Sequence, residues 1–377
     1  MNARSAETMH VIIIGSAGGQ DTLDSLRQDL PETGIVPLSC PDPGALAHVL
    51  RPLSAGTRVL LLRAGDRVEP GYLASLAQHG SGDAVGTLLT STVTIRPDGA
   101  RDDRLQWRFK HGSRSADLTA EPYIFPDTIS GVVLTVPRRG MSDWGGLGPL
   151  RGIEDTDGAN GSDENAGLSG LIAHIVDTGN RVGLHDGPAV VHHAPSPPGA
   201  WGKIEHYRHL LGTLLPAWLQ ADSPPPAWVY QLVIHRLIQV TEADRGLRFP
   251  SARLTVAERA EVAQLLRSVT RHVPAAQIEA YCSTPLAVGR RTALTALAAG
   301  PMPAPILPSA RRFRSDQKAT YFFTGALPAE QWKVDGSWAS PTSAKTVDHR
   351  YFDEVVLHER IVWLPKGEIT AVINGQE

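Results

Sequence analysis

The chain has 377 residues, of which 42% are hydrophobic and 20% charged. That suits two or three globular domains with buried cores and excludes wholesale disorder. Lys plus Arg (36) nearly balances Asp plus Glu (39), and the formal charge of −3 gives no basic field for nucleic acid or anionic lipid. Only two cysteines occur, Cys40 and Cys282. They make neither a disulfide framework nor a zinc motif, and both are expected as small buried side chains in a reducing cytoplasm. Residues Met1 to Met9 are polar, without a signal-peptide pattern. No stretch approaches the roughly 18–20 apolar residues of a membrane span.

Residues 10–15 read as a buried strand, a β-branched run ended by Gly15. After a loop at Ser16–Gly19, a helix is expected with Leu23, Leu26 and Leu30 on one face and Pro31 ending it. A second strand follows at Ile35–Leu38, a helix at Pro43–Leu53 and a third strand at Val59–Leu62. This alternation predicts a parallel sheet. Further strands are expected at 84–95 and 129–136. Residues 138–165, rich in Gly and Asp, read as a long loop, a length that usually carries function. Leu168–Thr178 reads as an amphipathic helix. Val182 and Ala189–Val191 read as a closing strand pair.

From about 203 the pattern turns helical, at 203–219, 226–242, 255–272 and 285–299. Thr255 and Glu258 have the spacing of a capping box. Pro301–Pro305 reads as a linker. Residues 312–377 read as β-rich, with strands at Ala319–Phe323, Glu354–Leu357, Ile361–Leu364 and Ile369–Ile373. His349 and His358 stand nine positions apart in this part and form no cluster with ligand spacing.

The glycine loop Gly15–Gly19 lacks both the GxGxxG spacing and the GK[ST] of a P-loop, so an ordinary strand-to-helix turn is the better reading. Val59–Leu62 runs into Arg63-Ala64-Gly65-Asp66, and Glu69-Pro70-Gly71-Tyr72-Leu73 then opens a helix. This segment resembles the centre of family 2 glycosyltransferases of the GT-A fold, whose strand ends in a Leu-Asp-x-Asp-Asp-type turn. Pro41–Leu46 followed by Ala55-Gly56 is similar to an upstream helix of the same family. The resemblance covers roughly residues 10–200.

It implies an α/β fold: a GT-A-like mixed, mostly parallel sheet flanked by helices (1–200), a helical region (201–300) and a small β-rich C-terminal module (312–377). It also implies transfer of a sugar from a nucleotide-diphosphate donor to a hydroxyl acceptor. In the family the acidic turn holds Mn²⁺ or Mg²⁺ against the donor diphosphate. Here Arg63 and Gly65 stand at the leading acidic positions and only Asp66 remains. A divalent cation wants several oxygen ligands, which Asp66 alone does not supply. Three readings follow: a cation held with fewer protein ligands, Arg63 supplying the positive charge directly, or a vestigial site.

The family's general base is a carboxylate before a helix. Glu154-Asp155-Thr156-Asp157 and Ser162-Asp163-Glu164-Asn165 both match. Asp163 is the first choice, because it directly precedes a helix and the Gly179–Val182 turn, and Asp155 is the reserve. Either group is equally suited to capping a helix. About 30 residues on, His192 or His193 corresponds to a family histidine that helps bind metal or diphosphate. Trp144–Leu147 could cover a sugar. The domain order is similar to enzymes that glycosylate wall teichoic acid and related polyol-phosphate polymers. That resemblance implies basic helices (Lys203, His206, Arg208, His209, Arg253, Arg259, Arg267, Arg271) that guide an anionic acceptor and a C-terminal module that joins subunits. The alternative is a non-catalytic binding or scaffold protein on a degenerate transferase domain.

Overall fold

The computed structural model describes residues 9–14, 19–29, 35–40, 49–50, 52–78, 86–95, 101–103, 105–136, 162–193, 200–220, 224–245, 250–300, 311–312 and 316–375. The chain divides into two compact units, Met1–His235 and Arg236–Glu377.

The first unit is built on a mixed nine-stranded sheet. Strands β1 (Met9–Ile14), β2 (Ile35–Cys40) and β3 (Arg58–Arg63) come from the short apolar runs and lie side by side in the order β2-β1-β3, all parallel. Two-residue β4 (Arg67–Val68) follows β3 directly. Beyond β3 the main sheet order continues β8-β5-β9-β4. In chain order these are β5 (Thr87–Ile95), β6 (Arg101–Asp102), β7 (Arg114–Asp117), β8 (Val132–Thr135) and β9 (Arg181–His193). β8 is antiparallel to both neighbours, while β5 and β9 are parallel to each other. β6 pairs off the edge of β5 and β7 off that of β9.

Helix α1 (Gly19–Asp29) and α2 (Tyr72–Gln78) pack on this sheet, joining Leu26, Tyr72, Leu73 and Leu76 to Val11, Ile13, Leu60, Leu62 and Val190 in one core. β3 is buried from Val59 to Leu62 and has β1 and β8 on its two sides, so its C-terminal end opens from the middle of the sheet. Helix α3 (Ser162–Asp177) precedes β9. A helical stretch then runs through α4 (Ile204–Tyr207), a π-helical turn (Arg208–Leu214) and α5 (Leu215–Leu219). Helix α6 (Ala227–Ala243) contains the boundary between the units.

The second unit holds α7 (Val256–Thr270), α8 (Ala275–Glu279) and α9 (Val288–Ala299). Its strands are β10 (Arg311–Arg312), β11 (Asp316–Phe323), β12 (Glu330–Val334), β13 (Ser337–Ala339), β14 (Ser343–Tyr351), β15 (Glu354–Pro365) and β16 (Ile369–Ile373). They form two sheets, β10-β11-β15-β14 and β13-β12-β16. The fold class is therefore the expected one: a mixed sheet with helices, a helical region and a small β-rich end. The Thr255 capping box on α7 is also present, with both reciprocal hydrogen bonds made.

Several boundaries differ from the sequence reading. Residues 181–193 are one strand rather than a pair. Against β5 its register slips between Thr90 and Thr92, where Asp186–Ala189, including Gly187 and Pro188, are absorbed as a bulge. β8 begins at Val132, because Ile129–Gly131 form a turn. The expected strands at 354–357 and 361–364 are one strand, and Leu53 lies in a bend rather than a helix. Cys282 is exposed, not buried. The 138–161 part of the expected loop, the 301–305 linker and most of the Pro43–Leu53 helix lie outside the described residues. No helix among the described residues is long and apolar enough to cross a membrane.

Candidate functional site

The residues after β3 form a tight turn. Asp66 N–H donates to the Arg63 carbonyl at 3.1 Å, and Gly65, at φ 93°, takes the left-handed position that a type II turn requires. Helix α1 secures the segment from one side. Thr22 Oγ1 accepts from Gly65 N–H at 2.9 Å, and Ser25 Oγ accepts from Val68 N–H at 3.0 Å. These polar residues, three apart on one helix face, pin the turn and β4 in place.

The turn delivers Asp66 inward. It is 1% exposed, and both of its oxygens are engaged. Ser130 Oγ donates to Asp66 Oδ2 at 2.5 Å, and His192 Nδ1 donates to Asp66 Oδ1 at 2.6 Å. Ser130 Oγ also accepts the Arg63 backbone N–H at 3.2 Å. On the far side of the imidazole, Arg63 Nη1 lies 3.3 Å from His192 Nε2. A guanidinium only donates, so Nε2 is the acceptor and the imidazole proton sits on Nδ1. The result is a directed series of contacts, Ser130 to Asp66, His192 to Asp66, and Arg63 to His192. Ser130 is bonded to the carboxylate and not to the imidazole, so it is not arranged as an activated nucleophile.

Three of the expected donor residues, Arg63, Asp66 and His192, therefore meet, although His192 is 129 positions from Arg63. His193 ends β9 opposite Ile95, and its side chain lies outside the described ones. Asp163 lies in the first turn of α3 rather than on a loop before it, since the helix starts at Ser162. Its side chain, together with Asp155 and Trp144–Leu147, lies outside the described residues. Ser130 is the member that sequence reasoning missed. Nothing in Ile129-Ser130-Gly131 signals a site; its role arises because β8 lies beside β3.

Beside Ser130 is a small depression lined by Thr90, Thr92, Arg108, Phe125, Asp127 and Gly131. Arg108 is buried in it, donating to the Phe125 carbonyl at 2.5 Å and to Asp127 Oδ1 at 3.0 Å, so it is tied to the frame. Tyr72 is fully buried and donates to or accepts from Thr90 Oγ1 at 2.8 Å; desolvation pushes its phenol pKa well up.

In the second unit, two of the expected basic residues are matched by acids. Arg259 pairs with Asp244 and Asp353, and Arg267 with Glu354. The histidines of the C-terminal part are also engaged: His349 with Glu359 at 3.0 Å and His358 with Asp348 at 2.9 Å, side by side across β14 and β15. Sequence spacing hides such cross-strand pairs. Among the described residues, no group of three or more His, Cys, Asp or Glu side chains converges as a metal site.

No family model and no curated protein matches the chain. Among solved structures it is similar to Staphylococcus aureus TarS 1–349 in complex with UDP-GlcNAc, at 13% identity over 78% of this chain and 87% of that one, TM-score 0.47. It is similar to S. aureus TarS at 11% identity over 94% of this chain and 72% of that one, TM-score 0.46. A third similar structure is GalNAc-T7 with UDP, GalNAc and Mn²⁺, at 10% identity over 72% of this chain and 59% of that one, TM-score 0.32.

Proposed function

We propose that the chain is a family 2, GT-A-like glycosyltransferase that moves a sugar from a nucleotide-diphosphate donor to a hydroxyl, on a glycan or polyol-phosphate polymer. The observation that carries this reading is the meeting of Arg63 and His192 at the C-terminal ends of β3 and β9. Open α/β sheets bind their ligands outside the carboxyl ends of the strands. A guanidinium there suits the diphosphate of a donor.

In this reading Asp163 is the general base and Asp155 the reserve. The carboxylate takes the proton of the acceptor hydroxyl, and the freed oxygen attacks the anomeric carbon. The bond from that carbon to the phosphate oxygen breaks, and the nucleoside diphosphate leaves with the bonding pair. His193 is a second donor-side candidate. The C-terminal module is structural and joins subunits; β14, the edge of its sheet and exposed along Ser343–Asp348, suits strand pairing between copies.

Thermal shift against UDP-, GDP- and CDP-sugars, with and without Mn²⁺, tests the reading, since a ligand that binds only the native state raises stability by RT ln(1 + [L]/Kd). Stabilisation by one of these donors is expected, and indifference to all of them would overturn it. The scaffold alternative draws on the two missing aspartates. It predicts a donor that binds and is never consumed.

A further inference from the structure

We infer that this chain engages a diphosphate through Arg63 without a divalent cation, and that Ser130, Asp66 and His192 are positioning residues that hold Arg63 for it. The inference rests on the nucleotide-donor reading and deepens it. Mn²⁺ or Mg²⁺ needs about six oxygen ligands with at least one protein carboxylate to anchor it. Asp66 is the carboxylate left in this turn, and it does not fit that task. Its Oδ1 accepts from His192 and its Oδ2 from Ser130, and the side chain is 2% exposed. So deeply buried, and already oriented by two short hydrogen bonds, this carboxylate presents little surface to a hydrated cation. The cation would also approach the Arg63 guanidinium, which is held at the other nitrogen of the same imidazole. Like charges at that range repel.

The same contacts suit an anion. Ser130 does two tasks, accepting the Arg63 backbone N–H and donating to Asp66, so it fixes both ends of the turn. Asp66 fixes the His192 tautomer, leaving the Nε2 lone pair to aim the Arg63 head group. A planar guanidinium aimed in this way presents a fork that matches two phosphate oxygens, as a compact ammonium does not. Asp66 thus orients His192, and His192 orients the guanidinium at the end of β3.

Calorimetry of UDP and of inorganic pyrophosphate into the whole chain, in EDTA and in Mn²⁺, tests this. Affinities within about threefold in the two media are expected, since no ligand bond to metal is at stake. Arg63→Gln should weaken binding about tenfold to hundredfold, the worth of a charged hydrogen bond, and Arg63→Lys should recover part of it. Ser130→Ala and Asp66→Asn should weaken binding in the wild-type background. Ser130→Ala should add nothing in the Arg63→Gln background, because a positioning residue acts through the group it holds. Should Asp66→Asn fail to fold, Ser130→Ala carries the test alone. Binding that requires Mn²⁺ and is insensitive to Arg63→Gln would overturn the inference and leave the donor reading standing. Additive losses would overturn the positioning roles. Absence of binding by both probes in both media would overturn inference and donor reading together.

Discussion

His192 Nδ1 lies 2.6 Å from Asp66 Oδ1, joining the end of β9 to the turn after β3 across 126 positions of sequence. The contact depends on the sheet order, which sets β9 antiparallel to β4 in the register Arg67 to Val191 and Val68 to Val190. Anything that disturbs that register disturbs the site.

Gly131 is the first test of this frame. It follows Ser130 at φ 77°, and a Cβ there would sit 2.7 Å from Thr90 Oγ1 and 3.2 Å from a Val190 methyl. Left-handed strain and overpacking together put the cost of Gly131→Ala at about 2–4 kcal/mol. Urea unfolding measures it. An unchanged midpoint would mean that the turn is free to relax.

Asp163→Asn is expected to keep donor affinity and lower turnover by about 10²–10⁴-fold, the contribution of a general base. Asp155→Asn is expected to be mild. Steady-state kinetics with a separately measured donor affinity distinguish the two. A crippled Asp155→Asn with an active Asp163→Asn would reverse the assignment.

His174, in the last turn of α3, has its pKa held below the ordinary value of 6.5 by burial, partly offset by Asp177. The native imidazole is therefore neutral over a window in which the unfolded one is protonated. There the unfolded state binds more protons, and stability falls as pH drops from about 6.5 towards the native pKa. The loss of melting temperature between pH 7 and pH 5 should shrink in His174→Gln. A drop as large as the wild type's would contradict this.

In the second unit, Phe352 is buried at φ 50°, a conformation costly for an aromatic residue. Its backbone N–H donates to Asp244 Oδ2 at 2.5 Å, and Asp244 also accepts from Ser251 Oγ at 2.5 Å. Asp244→Ala strands these donors and should cost about 1–3 kcal/mol. Asp244→Asn, which keeps an acceptor, should recover part of that in the same unfolding assay.

Strands β1 to β3 were legible because short apolar runs, Val11–Ile14 ended by Gly15 and Val59–Leu62 ended by Arg63 among them, have few alternatives. Arg63, Asp66 and His192 were legible as strand-end residues, but their contact was not, because it depends on which strands become neighbours. Gly183, Gly187 and Pro188 break the apolar pattern of β9, which hid its length. β14 escaped notice because Ser343–Asp348 are exposed on both faces and carry no apolar alternation. Ser130 shows the limit most plainly: a serine with no motif around it is a site residue only through its neighbours in space.

The central claim is that a nucleotide-sugar diphosphate sits against Arg63. The ³¹P NMR spectrum of UDP-sugar, GDP-sugar and CDP-sugar with the whole chain in EDTA tests this most directly. The account predicts that the β-phosphorus resonance of at least one donor shifts or broadens with the wild type and returns to its free position with Arg63→Gln. Phosphorus signals unmoved by the wild-type chain, or moved equally by Arg63→Gln, would contradict it.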